Sequence, residues 1–185
     1  MAAMEQPICD FGWKAPPFSL RDPDGKTHTL EGAKGPKGVL VMFICNHCPY
    51  VRAVVDRIVR DARDLQNMGV GVIAVMSNDY VNYPEDAPPK MKRFAAEHGF
   101  TFPYVIDETQ DVARAYDAVC TPDFFGFNAD LELQYRGRLD SSRQNPAPPD
   151  APRELFEAMR EVAETGRGPQ QQKPSMGCSI KWKDA

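Results

Sequence analysis

Cys45 and Cys48 enclose two residues, Asn46 and His47, and two thiols at that spacing can close and reopen a disulfide while the chain around them stays folded. Upstream, Val39-Leu40-Val41-Met42-Phe43-Ile44 is an uninterrupted apolar run of strand type, and downstream Pro49 opens a segment with helical periodicity. The pair therefore belongs where a buried strand turns into a helix. Proline suits the first helical position because its missing N–H is no loss there, which places Cys48 near the N-cap. Free backbone N–H groups and the positive end of the helix dipole favour thiolate over thiol at such a place, and the thiolate is the reactive form. His47 lies between the sulfurs and can stabilise a thiolate by charge or hydrogen bonding, which makes the couple more oxidising. Cys45, Cys48 and His47 are the expected catalytic residues, and thiol exchange needs no cofactor and no metal.

The remaining cysteines ask for separate judgement. Five in total is an odd number, which argues against a scaffold of paired structural disulfides. Cys9 stands in an extended N-terminal stretch without functional signal, and Cys120 reads as a buried spacer. Cys178 sits in an apolar island, Ser175-Met176-Gly177-Cys178-Ser179-Ile180-Lys181-Trp182, that follows a polar stretch. That island is expected to dock on this domain or on a partner, with Cys178 either a free packed thiol or a distant resolving one. His28 and His98 read as structural.

At 185 residues, with 42% hydrophobic and 26% charged residues, the chain suits one α/β domain with a sizeable core. A net charge of -4 gives no electrostatic reason to bind nucleic acid or an anionic membrane surface. No run reaches the apolar length of a membrane span, and the first seven residues lack the regions of a secretory signal, so a cytoplasmic location is expected.

Phe18-Ser19-Leu20 and Thr27-His28-Thr29-Leu30 flank Asp22-Pro23-Asp24-Gly25 as a hairpin. The periodicity predicts a helix from Pro49 to about Gln66, closed by Gly69, then a strand over Val70 to Met76 and a proline-broken loop to Pro89. A helix from Lys90 to His98, a strand ending at Ile106 and a short helix from Asp111 to Tyr116 come next. Phe124 to Phe127 and Leu131 to Gly137 form a second hairpin, and a proline-rich linker leads to a helix over Arg153 to Thr165. Gly166 to Pro174 is too poor in apolar residues to pack on its own. The expected organisation is an N-terminal extension over 1–15, a domain over 16–165 with a mixed sheet covered by helices on both faces, and a C-terminal tail over 166–185.

The order of elements, the Cys45-Asn46-His47-Cys48-Pro49-Tyr50-Val51 segment, Asp107-Glu108-Thr109-Gln110, Cys120-Thr121-Pro122-Asp123-Phe124-Phe125 and the Gly177 to Lys183 ending together resemble the thioredoxin fold. Within it they resemble the redoxin branch that holds alkyl hydroperoxide reductase-like and thiol-specific antioxidant-like proteins. The resemblance implies a cis Thr121–Pro122 bond facing the thiols, with Thr121 offering its backbone to an extended substrate. It also leaves two registers open. In the thioredoxin register Cys45 attacks and Cys48 resolves; in the peroxiredoxin register Cys48 is peroxidatic, while Cys45 and Val41 stand where that family's pattern has threonine and proline.

The leading expectation is a thiol-disulfide oxidoreductase acting on a protein or small-molecule disulfide, with an unidentified reductant. The alternative is a hydroperoxide reductase with Cys48 passing through sulfenic acid and Cys45 or Cys178 resolving it. A metal-binding or carrier module using Cys45 and Cys48, with His47, Cys120 or Cys178 completing the ligand set, is the third reading, opposed by the lack of a second Cys-x-x-Cys or a His pair.

Overall fold

The computed structural model describes residues 3–184; residues 1–2 and 185, the outer ends of the expected extension and tail, lie outside the described residues. In chain order the elements are β1 (Ala3–Glu5), β2 (Ser19–Arg21), β3 (Thr27–Thr29), α1 (Leu30–Ala33), β4 (Gly38–Phe43), α2 (Pro49–Arg52), α3 (Val55–Asn67), β5 (Val70–Met76), α4 (Pro88–Glu97), β6 (Tyr104–Ile106), α5 (Asp111–Tyr116), β7 (Cys120–Thr121), β8 (Asp123–Phe127), β9 (Leu133–Tyr135), α6 (Glu154–Thr165) and β10 (Met176–Ser179). Seven strands form the main sheet in the order β3-β2-β6-β5-β4-β8-β9, and three form a small one, β1-β10-β7.

Strand β4 is buried along its whole length, which is why its sequence shows no polar alternation. It pairs parallel with β5 and antiparallel with β8, so the sheet is mixed. Its pleat sends Leu40, Met42 and Ile44 into one core with Ile58, Leu65 and Met159, from α3 and α6. Val39, Val41 and Phe43 enter a second core with Tyr116, Phe125 and Ile180. Both faces of the sheet are thus covered, and the strand that ends at the thiols is anchored from both sides.

Two departures from the sequence expectation have local causes. The helix after Pro49 is interrupted, since α2 ends at Arg52 and α3 begins at Val55. Val51, Val54 and Val55 are all buried there, and three β-branched side chains crowd a single turn. Helix α4 starts at Pro88 rather than Lys90, because Pro88 and Pro89 occupy the first turn, where an N–H is not required.

The stretch between α6 and β10 is held by polar contacts in place of apolar burial: Gln172 Nε2 donates to the Gln134 carbonyl at 2.8 Å, and the Arg136 N–H donates to Gln172 Oε1 at 2.8 Å. The Gly168 N–H reaches Gln134 Oε1 at 3.1 Å. Side-chain amides can satisfy a backbone that offers no hydrophobic residues, a pattern composition does not reveal.

Candidate active site

Strand β4 delivers Cys45 two residues past its end, and α2 begins with Cys48 as its N-cap and Pro49 inside its first turn. Cys45 Sγ lies 3.6 Å from Thr121 Oγ1. Cys48 Sγ lies 3.3 Å from the Thr121 carbonyl oxygen and 2.7 Å from Cys178 Sγ. The Thr121–Pro122 bond is cis. Cys45, Cys48, Thr121 and Cys178 therefore meet at one point, although 133 positions separate the first from the last. Cys45 is 1% exposed, Cys48 0% and Cys178 4%, so the sulfurs are shielded from bulk water.

The sulfurs share one charge unequally. Hydrogen bonding from Cys45, then from Cys178 and Thr121, with help from the Val51 amide, outweighs burial and pulls Cys48 down to about 5. The same contact with Cys48, followed by burial and the field of Asp86, pushes Cys45 well above the usual thiol range. Burial, then the bond to Cys48, pushes Cys178 up to about 12. The thiolate thus resides on Cys48, with the other two thiols as its donors. Because the value is lowered, the thiolate fraction of Cys48 rises as pH climbs through about 5 and is nearly complete at neutrality. A pH titration of thiolate ultraviolet absorbance checks this: the wild-type step lies near 5 and vanishes in Cys48→Ser. A single step near 9, the ordinary thiol value, contradicts the assignment.

His47 does not aim at a sulfur. Its Nδ1 lies 2.7 Å from Asp86 Oδ2, and its ring stacks on Tyr83 at an interplanar angle of 8°. Asp86, followed by other nearby negative groups that include the Cys48 thiolate, raises the His47 pKa against burial. Its contribution to the thiolate is therefore positive charge at the site. Asp86 is a hub that sequence reading missed. The Asn46 N–H donates to its Oδ1 at 2.8 Å, and Asn78 Nδ2 donates to its Oδ2 at 3.0 Å. Tyr104 Oη donates to Asn46 Oδ1 at 2.9 Å, which fixes the peptide between the cysteines. Asp86 stands in the loop after β5, 38 positions from Cys48, and no local pattern ties the two together.

Atoms of Cys45, His47 and Asp86 also fall within 4.8 Å of one another, a possible ligand triad. Both Asp86 oxygens, however, already accept from N–H donors, and this triad shares Cys45 and His47 with the ligand set expected for a metal module but has Asp86 in place of Cys48. Cys120 is buried and its Sγ donates to the Pro122 carbonyl at 3.5 Å, while burial raises its pKa. Cys9 is half-buried beside Gln172 and burial pushes it up to about 11. His28 and His98 contact Asp22 and Asp56, at 2.8 and 3.4 Å, away from the thiols. A cleft of about 690 Å³ beside α6 and the Pro169 to Lys173 stretch contains none of the cysteines. A smaller opening of about 280 Å³ adjoins Asn46, His47, Arg52, Lys90 and Phe94.

A model of the AhpC/TSA family matches residues 11–136, which include Cys45, Cys48, Asp86 and the Thr121–Pro122 pair. The chain belongs to the AhpC/TSA family. Among curated relatives of this AhpC/TSA chain, the thiol-disulfide oxidoreductase ResA of Halalkalibacterium halodurans is 31% identical over 112 residues, 60% of this chain and 59% of that protein. The chain spans about six-tenths of the length of such relatives. A crystal structure of an uncharacterized conserved protein from Geobacillus kaustophilus is 48% identical with a TM-score of 0.93, covering 100% of this chain and 98% of that one. A thioredoxin-family thiol:disulfide interchange protein from Chlorobium tepidum TLS, 18% identical, shares the fold with a TM-score of 0.63 over 82% of this chain and 97% of that one. The architecture is thioredoxin-like, as the order of elements implied.

Proposed function

We propose that the protein is a thiol-disulfide oxidoreductase in which Cys48 attacks and Cys45 closes the exchange. The observation that carries this reading is the position of the Cys48 sulfur at the head of α2, its thiolate favoured at neutrality by hydrogen bonding from Cys45 and Cys178. The Cys48 thiolate displaces one half of a substrate disulfide and forms a mixed disulfide; a neighbouring protein thiol attacks the Cys48 sulfur and releases the other half, and the exchange ends with the disulfide between Cys45 and Cys48. The resulting Cys45–Cys48 disulfide is returned to dithiol by an external reductant. His47 holds positive charge near the thiolate, and the Thr121 backbone lies beside the reacting sulfur. The similarity to ResA supports the reaction class.

A second reading, reduction of a hydroperoxide by Cys48, is favoured by the family and by the placement of the thiolate on the Cys-Pro cysteine. Cys45 and Val41 replace the threonine and proline of the peroxidase pattern, so the groups that would activate the peroxide are missing. Stopped-flow oxidation separates the two. Reduced protein is expected to react with a small disulfide faster than an unactivated thiol does at neutral pH, by less than the roughly 100-fold gain in thiolate fraction because a less basic thiolate is a weaker nucleophile. With hydroperoxide it is expected to match an ordinary thiolate. A hydroperoxide rate several orders of magnitude above that of a free thiolate would establish the peroxidase instead.

We place this activity in the cytoplasm, where five unpaired cysteines are compatible with a reducing environment. Among the described residues no helix is long and apolar enough to cross a membrane. Thiol trapping in fractionated cells tests the location.

A further inference from the structure

The edge of β7 is the backbone that an extended substrate would pair with, and the chain's own β10 already lies there. Cys178 pairs with Thr121 and Ser179 with Cys120, antiparallel, while β1 covers the other side of β10. The approach is close at Gly177: a side chain there would collide with the Thr121 carbonyl oxygen and crowd the Pro122 nitrogen. The strand is tied at both ends. Before it, the Ser175 N–H donates to Gln6 Oε1 at 2.9 Å and Ser175 Oγ to the Pro122 carbonyl at 2.9 Å. After it, the Lys181 N–H donates to Asn78 Oδ1 at 2.9 Å and the Asp79 N–H to the Lys181 carbonyl at 2.8 Å. Ile180 is buried in the second core. So fixed, β10 presents Cys178 to Cys48 where the cysteine of an external polypeptide would stand.

We propose that Cys178 is the internal exchange partner of Cys48, and that β10, by filling the β7 edge, restricts the outside reactant to a small-molecule disulfide. This deepens the oxidoreductase reading and rests on it. The Cys48 thiolate attacks a small disulfide RSSR, forming Cys48–S–SR and releasing RS⁻. Cys178 gives up its proton to solvent and attacks the Cys48 sulfur; the Cys48–SR bond breaks and a second RS⁻ leaves. Two electrons pass from the two protein thiols to RSSR, and the protein holds a Cys48–Cys178 disulfide. Cys45 then displaces Cys178 from Cys48, which moves the disulfide to Cys45–Cys48 without further change in oxidation state. Charge moves in the same order. Besides burial, the Cys48 thiolate is what holds the Cys178 proton, while Lys181 and the Tyr50 amide favour its loss. Consuming that thiolate therefore activates Cys178 at the step that needs it.

The test oxidises full-length variants with a chromogenic small disulfide, counts released thiol by stopped flow and maps acid-quenched peptides. Cys45→Ser is expected to release two equivalents and yield a Cys48–Cys178 disulfide. Cys45→Ser combined with Cys178→Ser or Cys178→Ala releases one and stops at the Cys48 mixed disulfide. Gly177→Ala in the Cys45→Ser background pushes β10 off β7 and slows the second release about 100-fold, far more than the first, because alignment of the reacting sulfurs is lost. The disulfides of insulin are expected to react about 100-fold slower than the small reagent, since a polypeptide must displace β10. One equivalent from Cys45→Ser, with Cys178 still free to alkylation, overturns the role of Cys178. Equal rates with insulin overturn the restriction on size. No first release at all removes the oxidoreductase reading beneath both.

Discussion

Cys48→Ser lowers disulfide turnover by about 1000-fold or more, whereas Cys45→Ser keeps the first chemical step and loses only its completion by the Cys-x-x-Cys pair. The asymmetry arises from where the negative charge resides. A hydroxyl at position 48 cannot carry a thiolate, so the donors of Cys45 and Cys178 face a group that does not attack. A hydroxyl at position 45 can still donate to the attacking sulfur, and Cys178 and Thr121 remain around it. The Cys48 pKa therefore stays below the ordinary thiol value in Cys45→Ser. Steady-state turnover with a dithiol reductant, together with single-turnover measurements on each variant, checks the pattern. Equal loss of the first step in both variants would show that attack is not assigned to one sulfur.

The largest expected loss of stability lies away from the sulfurs, at Arg136. Its Nη2 lies 3.0 Å from Asp123 Oδ2, the carboxylate is fully buried, and the guanidinium stacks over the Phe125 ring at 4.3 Å. Asp123 also accepts from Gln6 Nε2 at 2.8 Å and the Val119 N–H at 3.1 Å, linking the N-terminal segment to the strand that follows the cis proline. Arg136→Ala leaves that carboxylate buried without its cation, a change that costs about 3–5 kcal/mol. Burial already raises the Asp123 pKa against the pull of Arg136. With Arg136 gone the folded-state value rises further above the unfolded one, so the folded protein binds the proton more tightly and stability falls as pH rises. The penalty of Arg136→Ala is accordingly largest at neutral pH and shrinks in acid, where the carboxyl is neutral. Adding Asp123→Asn recovers part of it. Urea unfolding of the single and double variants at two pH values checks both signs, and a pH-independent penalty would point to lost packing over Phe125 instead.

Much of the site is legible in the sequence because its central residues are local. The apolar run before Cys45 can only be a buried strand, Pro49 can only sit in the first turn of the helix after it, and two residues between thiols permit exchange. Those constraints act over a few residues and leave their mark in residue order. The hairpin turns, the helices closed by glycine and the alternation of strand and helix are legible for the same reason. What tertiary structure alone decided is which distant groups converge on the sulfurs. Asp86 takes both the Asn46 amide and His47 through a loop whose composition shows only that it is polar. Cys178 reaches Cys48 because β10 pairs with β7, and strand pairing across more than fifty residues is set by the backbone hydrogen bonds left open at an edge, which no side-chain pattern announces. The choice between the two sulfurs came from the same convergence. Spacing made Cys45 and Cys48 a pair, but the charge on Cys48 depends on the number of donors around each sulfur and on burial, and both are properties of the folded chain.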